Sequence, residues 1–272
     1  MELMNIRGAK ILLNEHDGTL HVQEPLTYEK TSAKRTLEMQ PLLYAPQAAG
    51  EEISYRFYMN IWRKEDADIF RKRGMSNGIT ILMPGTIEGE CRKNSGHYHC
   101  LSEGHRLPYP EVYEILCGEA MFLLQKSECF QKDDFTVEDC RAVLLKKGEK
   151  LIIPPYYAHC AINIGDGYMA FGNLAVPCPL NYAAIRQKCG FFTYVLKKNN
   201  TLLLLQNPHY ESLPLPKITE PREQKTLGLD FSKTLYDLFM EQPCQFDYLD
   251  HPEAYEEAMQ QLLTAQETAC NR

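Results

Sequence analysis

The sequence has none of the features that mark several common protein classes. It contains no Cys-x-x-Cys pair, no internal repeat, no low-complexity tract and no apolar run near the ~20 residues that span a bilayer. Basic residues are not in excess, because 29 Lys and Arg stand against 36 Asp and Glu, for a net charge of −7. We therefore expect no membrane span and no nucleic-acid partner. We also expect no signal peptide, since polar residues soon interrupt the apolar stretch at 11–13.

The ten cysteines are scattered, and several lie inside apolar runs. A free cysteine in such a run behaves as a small hydrophobic residue. Neither a disulfide framework nor a zinc cluster is indicated, so we predict a reducing, cytoplasmic setting.

Short apolar strands separated by turn signals run through most of the chain. One predicted hairpin covers residues 9–23 around Asp17-Gly18, and an alternating strand covers 53–59. Further strands are predicted within 78–83, 115–125, 142–153, 167–176 and 191–205. The polar stretch 27–50 is predicted as loop with a short helical turn. The pattern is typical of an all-β sandwich or barrel, and a hydrophobic share of 44% can fill its core.

Four residues carry the clearest chemical signal. His97 and His99 alternate, so on a strand both imidazoles point to the same face. Glu111 opens a strand-like run, and His159 follows a Pro-Pro turn and begins another. Three imidazoles and a carboxylate suit Fe, Mn, Ni, Co or Zn, and they suit Ca or Mg poorly. We predict a divalent-metal site inside the barrel, with one or two coordination positions left open for substrate oxygens.

These residues also have ordinary interpretations. A single His-x-His pair is often a surface or hydrogen-bonded pair. Glu103 is a rival ligand to Glu111, although it lies in a polar loop. Glu111 and Glu114 are three positions apart on one strand, so only one of them can face inward.

The joint spacing is more specific than any one residue. Glu111 followed after six residues by Gly118 resembles the end of the first cupin motif. A second set of spaced residues resembles the second cupin motif. It consists of Gly148, Pro154, His159 and Asn163. There are two departures. Tyr156 occupies a position where many cupins have Gly, and the gap from His99 to Glu111 is longer than usual.

Within the cupins, the chain resembles the archaeal-type, metal-dependent glucose-6-phosphate isomerases. Five segments between about residue 9 and about residue 210 match in order, namely 80–85, 95–99, 110–113, 121–125 and 154–159. The resemblance implies a cupin fold, which is a double-stranded β-helix or jelly-roll barrel. It also implies a homodimer and one divalent transition metal per subunit, with Fe ahead of Mn, Ni, Co or Zn.

The activity that this resemblance implies is the interconversion of glucose 6-phosphate and fructose 6-phosphate. Its metal ligands would be His97, His99, Glu111 and His159, and Glu111 would also be the catalytic proton-transfer group. Seven residues are predicted to contact the phosphosugar, namely Tyr55, Thr80, Asn94, Ser95, Gly96, Tyr156 and Tyr182. The family usually has Thr where this chain has Asn94, so another phosphosugar isomerase of the cupin superfamily is the alternative.

Two more distant alternatives use the same ligands. An Fe-dependent cupin dioxygenase is disfavoured by the phosphate-side residues Tyr55, Thr80 and Tyr182. A non-catalytic sugar-binding cupin is disfavoured by the complete ligand set. Proton transfer through an enediolate and a hydride shift both remain open as mechanisms.

Residues 211–272 lie beyond the resemblance. Three prolines between 214 and 221 indicate a linker, and helices are predicted at 232–241 and 252–268. We predict a cupin domain at residues 1–210 that includes an N-terminal β extension. The C-terminal helical extension at 211–272 is expected to pack on the barrel or on a partner subunit.

Overall fold

A computed structural model describes residues 1–267, and strands dominate it. In chain order the strands are β1 (Glu2–Ile6), β2 (Ala9–Leu13), β3 (Leu20–Val22), β4 (Leu26–Thr27), β5 (Lys30–Arg35), β6 (Ile53–Met59), β7 (Trp62–Arg63), β8 (Ser76–Leu82), β9 (Thr86–Ile87), β10 (Glu90–Cys91), β11 (Tyr98–His99), β12 (Glu111–Cys117), β13 (Glu119–Lys126), β14 (Asp139–Lys146), β15 (Lys150–Ile153), β16 (Tyr157–Asn163), β17 (Met169–Ala175), β18 (Leu180–Asn181), β19 (Thr193–Lys198), β20 (Thr201–Gln206) and β21 (Lys217–Thr219). The α-helices are α1 (Thr36–Met39), α2 (Ala67–Lys72), α3 (Ala183–Gln187), α4 (Leu235–Glu241) and α5 (Glu256–Glu267).

Two sheets face each other and form the barrel. One has the strand order β15-β12-β17-β8-β6-β5, and the other has the order β16-β13-β14-β21. Neighbouring strands in both are antiparallel except for β14 and β21. Side chains from both sheets, among them Tyr113, Phe122 and Phe171, form one apolar core. The predicted all-β cupin fold, a jelly-roll barrel, is confirmed.

Strand β12 is buried along its whole length because both faces of its sheet are covered. Tyr113 belongs to the barrel core, whereas Val112 and Leu116 belong to a second core shared with the N-terminal strands and the C-terminal helices. Alternate side chains of a strand point to opposite faces. Glu111 therefore lies on the barrel side with Tyr113, and Glu114 lies on the outer side.

The turn from β12 to β13 explains the glycine of the first motif. Gly118 has φ of +78°, in the left-handed region that glycine adopts most readily. A Cβ at this position would lie 2.7 Å from the carbonyl oxygen of Tyr168. The tight connection between the two sheets therefore requires glycine.

Helix α4 and the segment after it pack on the outer face of the six-stranded sheet, whereas β21, which lies in the stretch predicted as a linker, joins the other sheet. Phe239 of α4 is fully buried, with its ring centroid 4.7 Å from that of Phe70 and 5.7 Å from that of Phe246. This packing is part of the second core. A division of the chain into two domains at residue 211 stays a prediction.

A buried charged pair ties the same segment to β12. The Glu114 carboxylate lies 3.3 Å from the Lys150 ammonium and accepts a 2.7 Å hydrogen bond from the Leu235 amide at the start of α4. The Lys150 side chain is 0% exposed. A buried charge is tolerated when it is paired and hydrogen-bonded, and this pair meets both conditions.

Most predicted strands are present, including β6 at the predicted residues and the β2–β3 hairpin. The loop prediction for 27–50 is wrong in part, because β5 lies there as an exposed edge strand paired with β6. The second C-terminal helix begins at Glu256 after a 3-10 turn, and its predicted end at Thr268 lies outside the described residues. Within residues 1–267, no helix is long and apolar enough to cross a membrane.

We predict that Phe239→Ala lowers the free energy of unfolding of the whole chain by about 3–5 kcal/mol, because it opens a cavity in the second core. Urea unfolding followed by circular dichroism would measure this loss. Leu215→Ala is the matched control, since Leu215 is 87% exposed and should change stability by less than about 0.5 kcal/mol. A small effect of Phe239→Ala would contradict the shared core.

Candidate metal centre

The four predicted ligands come from three parts of the barrel. His99 ends β11, and His97 lies just before β11, bridged to His159 of β16. Glu111 opens β12. Since β12 belongs to one sheet and β16 to the other, the ligands meet between the two sheets.

The donor atoms of these residues fit a single metal ion. Each residue offers one ligand atom, and these atoms all lie within 4.8 Å of one another. Glu111 Oε2 lies 3.2 Å from Nε2 of both His99 and His159. Donors that share an ion at bond lengths of ~2.1 Å are themselves about 3 Å apart. Glu111 Oε2 does not form a hydrogen bond with His159 Nε2. This buried nitrogen therefore has no hydrogen-bond partner among the described residues. A metal ion would satisfy it.

Most of the site is in the protonation state that metals bind. Burial and the nearby His159 lower the pKa of His97 well below its usual range, and burial lowers that of His159. Burial raises the pKa of Glu111, but His159 and His99 outweigh it and hold that pKa well below its usual range. Two imidazoles are therefore neutral and the carboxylate is ionised at neutral pH.

His99 is the exception. Burial lowers its pKa, but Cys178 and the Glu111 carboxylate outweigh burial and raise the pKa to about 10. The metal-free imidazole therefore carries a proton on Nε2, the atom that faces Glu111. Metal binding at Nε2 has to displace that proton.

Hydrogen bonds outside the ligand set orient two of the ligands. His99 Nδ1 donates to the carbonyl oxygen of Tyr109 at 2.8 Å, which leaves Nε2 facing the site. Asn173 Nδ2 donates to Glu111 Oε1 at 2.8 Å, which leaves Oε2 facing the imidazoles. Such partners fix the tautomer and the orientation of metal ligands.

The site opens into a cavity of about 300 Å³ that His97, His99 and Glu111 help to line. Cavities of roughly this size hold small-molecule ligands. Six of the seven predicted substrate-contact residues line it, namely Tyr55, Thr80, Asn94, Ser95, Gly96 and Tyr182. The structure therefore brings the predicted ligands and most of the predicted substrate contacts to one place.

Several of these residues are held in place by local contacts. The Tyr55 hydroxyl hydrogen-bonds with the Ser95 hydroxyl at 3.1 Å, and Asn94 Oδ1 accepts from the Ala161 amide at 2.9 Å. Gly96 has φ of +62°, and a Cβ there would lie 2.3 Å from the Phe191 ring. The backbone before His97 is therefore confined to a shape that only glycine allows.

Tyr156 is the predicted contact that the structure sets apart. It does not line this cavity but borders a second one, and its hydroxyl donates to the carbonyl oxygen of Arg106 at 3.1 Å. A role for Tyr156 in substrate binding stays a prediction without geometric support.

Sequence reasoning missed other residues near the site. Tyr113 and Asn173 line the cavity. Tyr113 lies two positions after Glu111, so the strand period could have placed it on the same face. Asn173 comes from β17, and only the register between strands brings it to Glu111. Lys34 lies directly across from Tyr55 on β5, with its ammonium 5.9 Å from the centre of the Tyr182 ring.

The comparisons with known proteins agree with this geometry. The family model for glucose-6-phosphate isomerase matches residues 32–212. The chain belongs to the glucose-6-phosphate isomerase family. All four candidate metal ligands lie inside the matched residues.

Curated members of the glucose-6-phosphate isomerase family from archaea are similar to this chain. The Pyrococcus furiosus enzyme is 28% identical over 194 residues, which cover 67% of this chain and 89% of the relative. The Thermococcus litoralis enzyme is 26% identical over 188 residues, covering 66% and 88%. The Pyrococcus abyssi enzyme is 31% identical over 162 residues, covering 55% and 77%.

Similar solved structures include an oxalate decarboxylase from Bacillus subtilis and a vicilin from hazelnut. The decarboxylase has a TM-score of 0.32 and 14% identity, and the match covers 46% of this chain and 26% of that chain. The vicilin has a TM-score of 0.31 and 10% identity, with coverage of 44% and 29%. These overlaps are partial.

We predict that metal binding releases about one proton per site at pH 7 to 8, because the His99 pKa of about 10 keeps this imidazole charged until metal binds. Since the bound form lacks a proton that the free form holds, affinity should rise about tenfold from pH 7 to pH 8. Calorimetric titration with Mn(II), in buffers of different ionisation enthalpy, would measure both. His16→Ala, which removes an exposed histidine, should behave like the parent protein. An affinity that does not change over this range would contradict the prediction.

Proposed function

We propose that this protein is a metal-dependent isomerase that interconverts glucose 6-phosphate and fructose 6-phosphate. The observation that carries the proposal is the convergence of His97, His99, Glu111 and His159 beside a substrate-sized cavity in a member of this family. A divalent metal held there would supply Lewis-acid polarisation of the sugar carbonyl.

Glu111 is the proposed proton-transfer group. Its carboxylate is ionised and lines the cavity, and the Asn173 amide fixes its orientation. It can take a proton from one sugar carbon and return it to the neighbouring carbon. Burial and the adjacent Glu111 raise the pKa of Tyr113 well above its usual range. The Tyr113 hydroxyl therefore stays protonated and can donate to a sugar oxygen.

The wall of the cavity beside Tyr55, Ser95 and Tyr182 is the proposed phosphate side, because hydroxyl groups gather there. Lys34 adds a positive charge at the same wall. Burial and the nearby Arg186 lower the pKa of Lys34 against the effect of Glu38, and among the side chains of residues 1–263 no carboxylate lies within ion-pair distance of its ammonium. A phosphate dianion would supply the missing countercharge, which fits a phosphosugar in a protein of negative net charge.

Another phosphosugar isomerase activity is the second candidate, and Asn94 is the residue that motivates it. Its side-chain oxygen is engaged by the backbone of β16, so it presents a different surface to the substrate than a threonine would. The pairing of two subunits, iron as the metal and a cytoplasmic setting remain predictions.

The decisive experiment is a coupled isomerase assay on metal-stripped protein. We predict that Fe(II), Mn(II), Ni(II), Co(II) or Zn(II), added separately, restores turnover of fructose 6-phosphate to glucose 6-phosphate. Loss of one of four ligands should weaken metal binding by at least about 100-fold, so His97→Ala and His159→Ala should abolish that turnover. His209→Ala, on the exposed surface, is the control. Metal bound at the site without turnover would overturn the assignment, and other phosphosugars and oxygen uptake would then be tested.

We predict that Lys34→Met raises KM for fructose 6-phosphate about tenfold with little change in kcat, because the lost charge binds substrate and transition state alike. Steady-state kinetics would measure the two constants. Lys72→Met removes an equal charge from the exposed basic run at 71–73 and is the matched control. A raised KM for Lys72→Met with an unchanged KM for Lys34→Met would show that the phosphate group does not bind beside Lys34.

A further inference from the structure

The loop at residues 101–109 lengthens the gap between the histidine pair and Glu111, and the C-terminal extension holds it. Glu253 Oε1 accepts hydrogen bonds from the backbone amides of Arg106 at 2.7 Å and Leu107 at 3.2 Å. Glu253 Oε2 lies 3.4 Å from Nδ1 of His105. One carboxylate thus contacts three successive residues of the loop.

Tyr156 holds the loop from the barrel side. The φ of Tyr156 is +67°, in the left-handed region that residues with a Cβ seldom adopt. Its hydroxyl donates to the carbonyl oxygen of Arg106 at 3.1 Å. Residue 106 is therefore fixed at its amide by Glu253 and at its carbonyl by Tyr156. This contact gives a physical reason for a tyrosine at a position where the cupin motif has glycine.

The last residue of this loop, Tyr109, contacts a metal ligand. Nε2 of His105 hydrogen-bonds with the Tyr109 hydroxyl at 2.9 Å, and their ring centroids are 4.8 Å apart. The carbonyl oxygen of Tyr109 in turn accepts the hydrogen bond from Nδ1 of His99 at 2.8 Å. Contacts therefore run without a break from Glu253 through the loop to His99.

The charge state of Glu253 suits this role. Burial raises its pKa, but backbone hydrogen bonds, including those from Arg106 and Leu107, outweigh burial and lower the pKa to about 2. The carboxylate is therefore ionised at neutral pH, and hydrogen bonds from amides to a charged acceptor are about twice as strong as those to a neutral one. Glu253 also lies outside residues 32–212, which match the family.

We propose that the C-terminal extension is a positioning element of the metal centre, in which Glu253 fixes the 101–109 loop so that the Tyr109 carbonyl orients His99 toward the metal. Glu253 touches neither metal nor substrate, so it acts only through the loop. The proposal depends on the metal centre and does not depend on which sugar the protein converts.

The test compares three full-length variants. Glu253→Ala removes every contact between the Glu253 carboxylate and the loop. Glu253→Gln keeps an oxygen acceptor and loses the charge. Glu256→Ala is the matched control, because Glu256 lies near the same loop only through an exposed side-chain pair with Arg106 at 3.9 Å. Co(II) affinity would be measured by competition with a chromophoric chelator. The visible absorption spectrum of bound Co(II) would report ligand geometry, and thermal unfolding would be recorded in parallel.

We expect Glu253→Ala to weaken Co(II) binding about tenfold, as loss of the partners that orient metal ligands does, and to alter the Co(II) spectrum. Glu253→Gln should give an intermediate affinity, and Glu256→Ala should match the parent protein. A lower unfolding temperature with unchanged Co(II) affinity and spectrum would overturn the proposal, because the extension would then only stabilise the fold.

A failure of the isomerase assignment would look different. In that case the parent protein would bind Co(II) without converting any phosphosugar. Co(II) affinity would still be lowest for Glu253→Ala, intermediate for Glu253→Gln and unchanged for Glu256→Ala. Equal Co(II) affinity of the parent, Glu253→Ala and Glu253→Gln would reject the positioning role whatever the protein converts.

Discussion

The alternation of side chains along β12 is the constraint on which the rest of the structure depends. This strand is buried on both faces, so each of its residues belongs to one of two environments. Glu111 and Tyr113 face the barrel interior and the metal centre, whereas Glu114 faces the C-terminal extension. A register shift of one residue would turn every side chain to the other face. It would bring apolar Val112 to the metal ligands and leave the Lys150 ammonium without its partner.

Two environments on one strand explain how the barrel keeps its metal ligands on one face while an extension covers the other face. The inner face holds the ligands and the cavity, and the outer face holds a charged pair and a cluster of aromatic rings. The extension also reaches the metal side, where Glu253 contacts the 101–109 loop. The long gap after His99, the tyrosine at 156 and the added C-terminal helices are therefore parts of one arrangement.

The sequence predicted the parts of the site that depend on local periodicity. His97, His99 and Glu111 could be predicted as ligands because alternate residues of a strand share a face. His159 could be predicted because a Pro-Pro turn precedes it. Asn173 and Lys34 could not be found in this way, since their positions depend on the register between strands far apart in the chain. Tyr109 acts through its carbonyl oxygen, which no residue type reveals.

The errors in the fold have similar causes. β5 is an edge strand whose side chains are mostly exposed, so it lacks the apolar alternation that identifies a half-buried strand. The substrate contact of Tyr156 stays a prediction, and the sequence did not reveal its contact with the 101–109 loop. Its actual contact depends on a left-handed backbone and on a loop fifty residues earlier in the chain.

The contact between Glu114 and the amide of Leu235 also bears on how the chain is made. These residues are separated by 121 positions. A ribosome adds that length on the order of ten seconds after β12 has emerged. His159 is added partway through this interval, and from then on all four metal ligands exist while the C-terminal helices that share the second core are still missing. Until α4 is made, part of this apolar face and the Glu114–Lys150 pair lack the cover that the finished chain gives them.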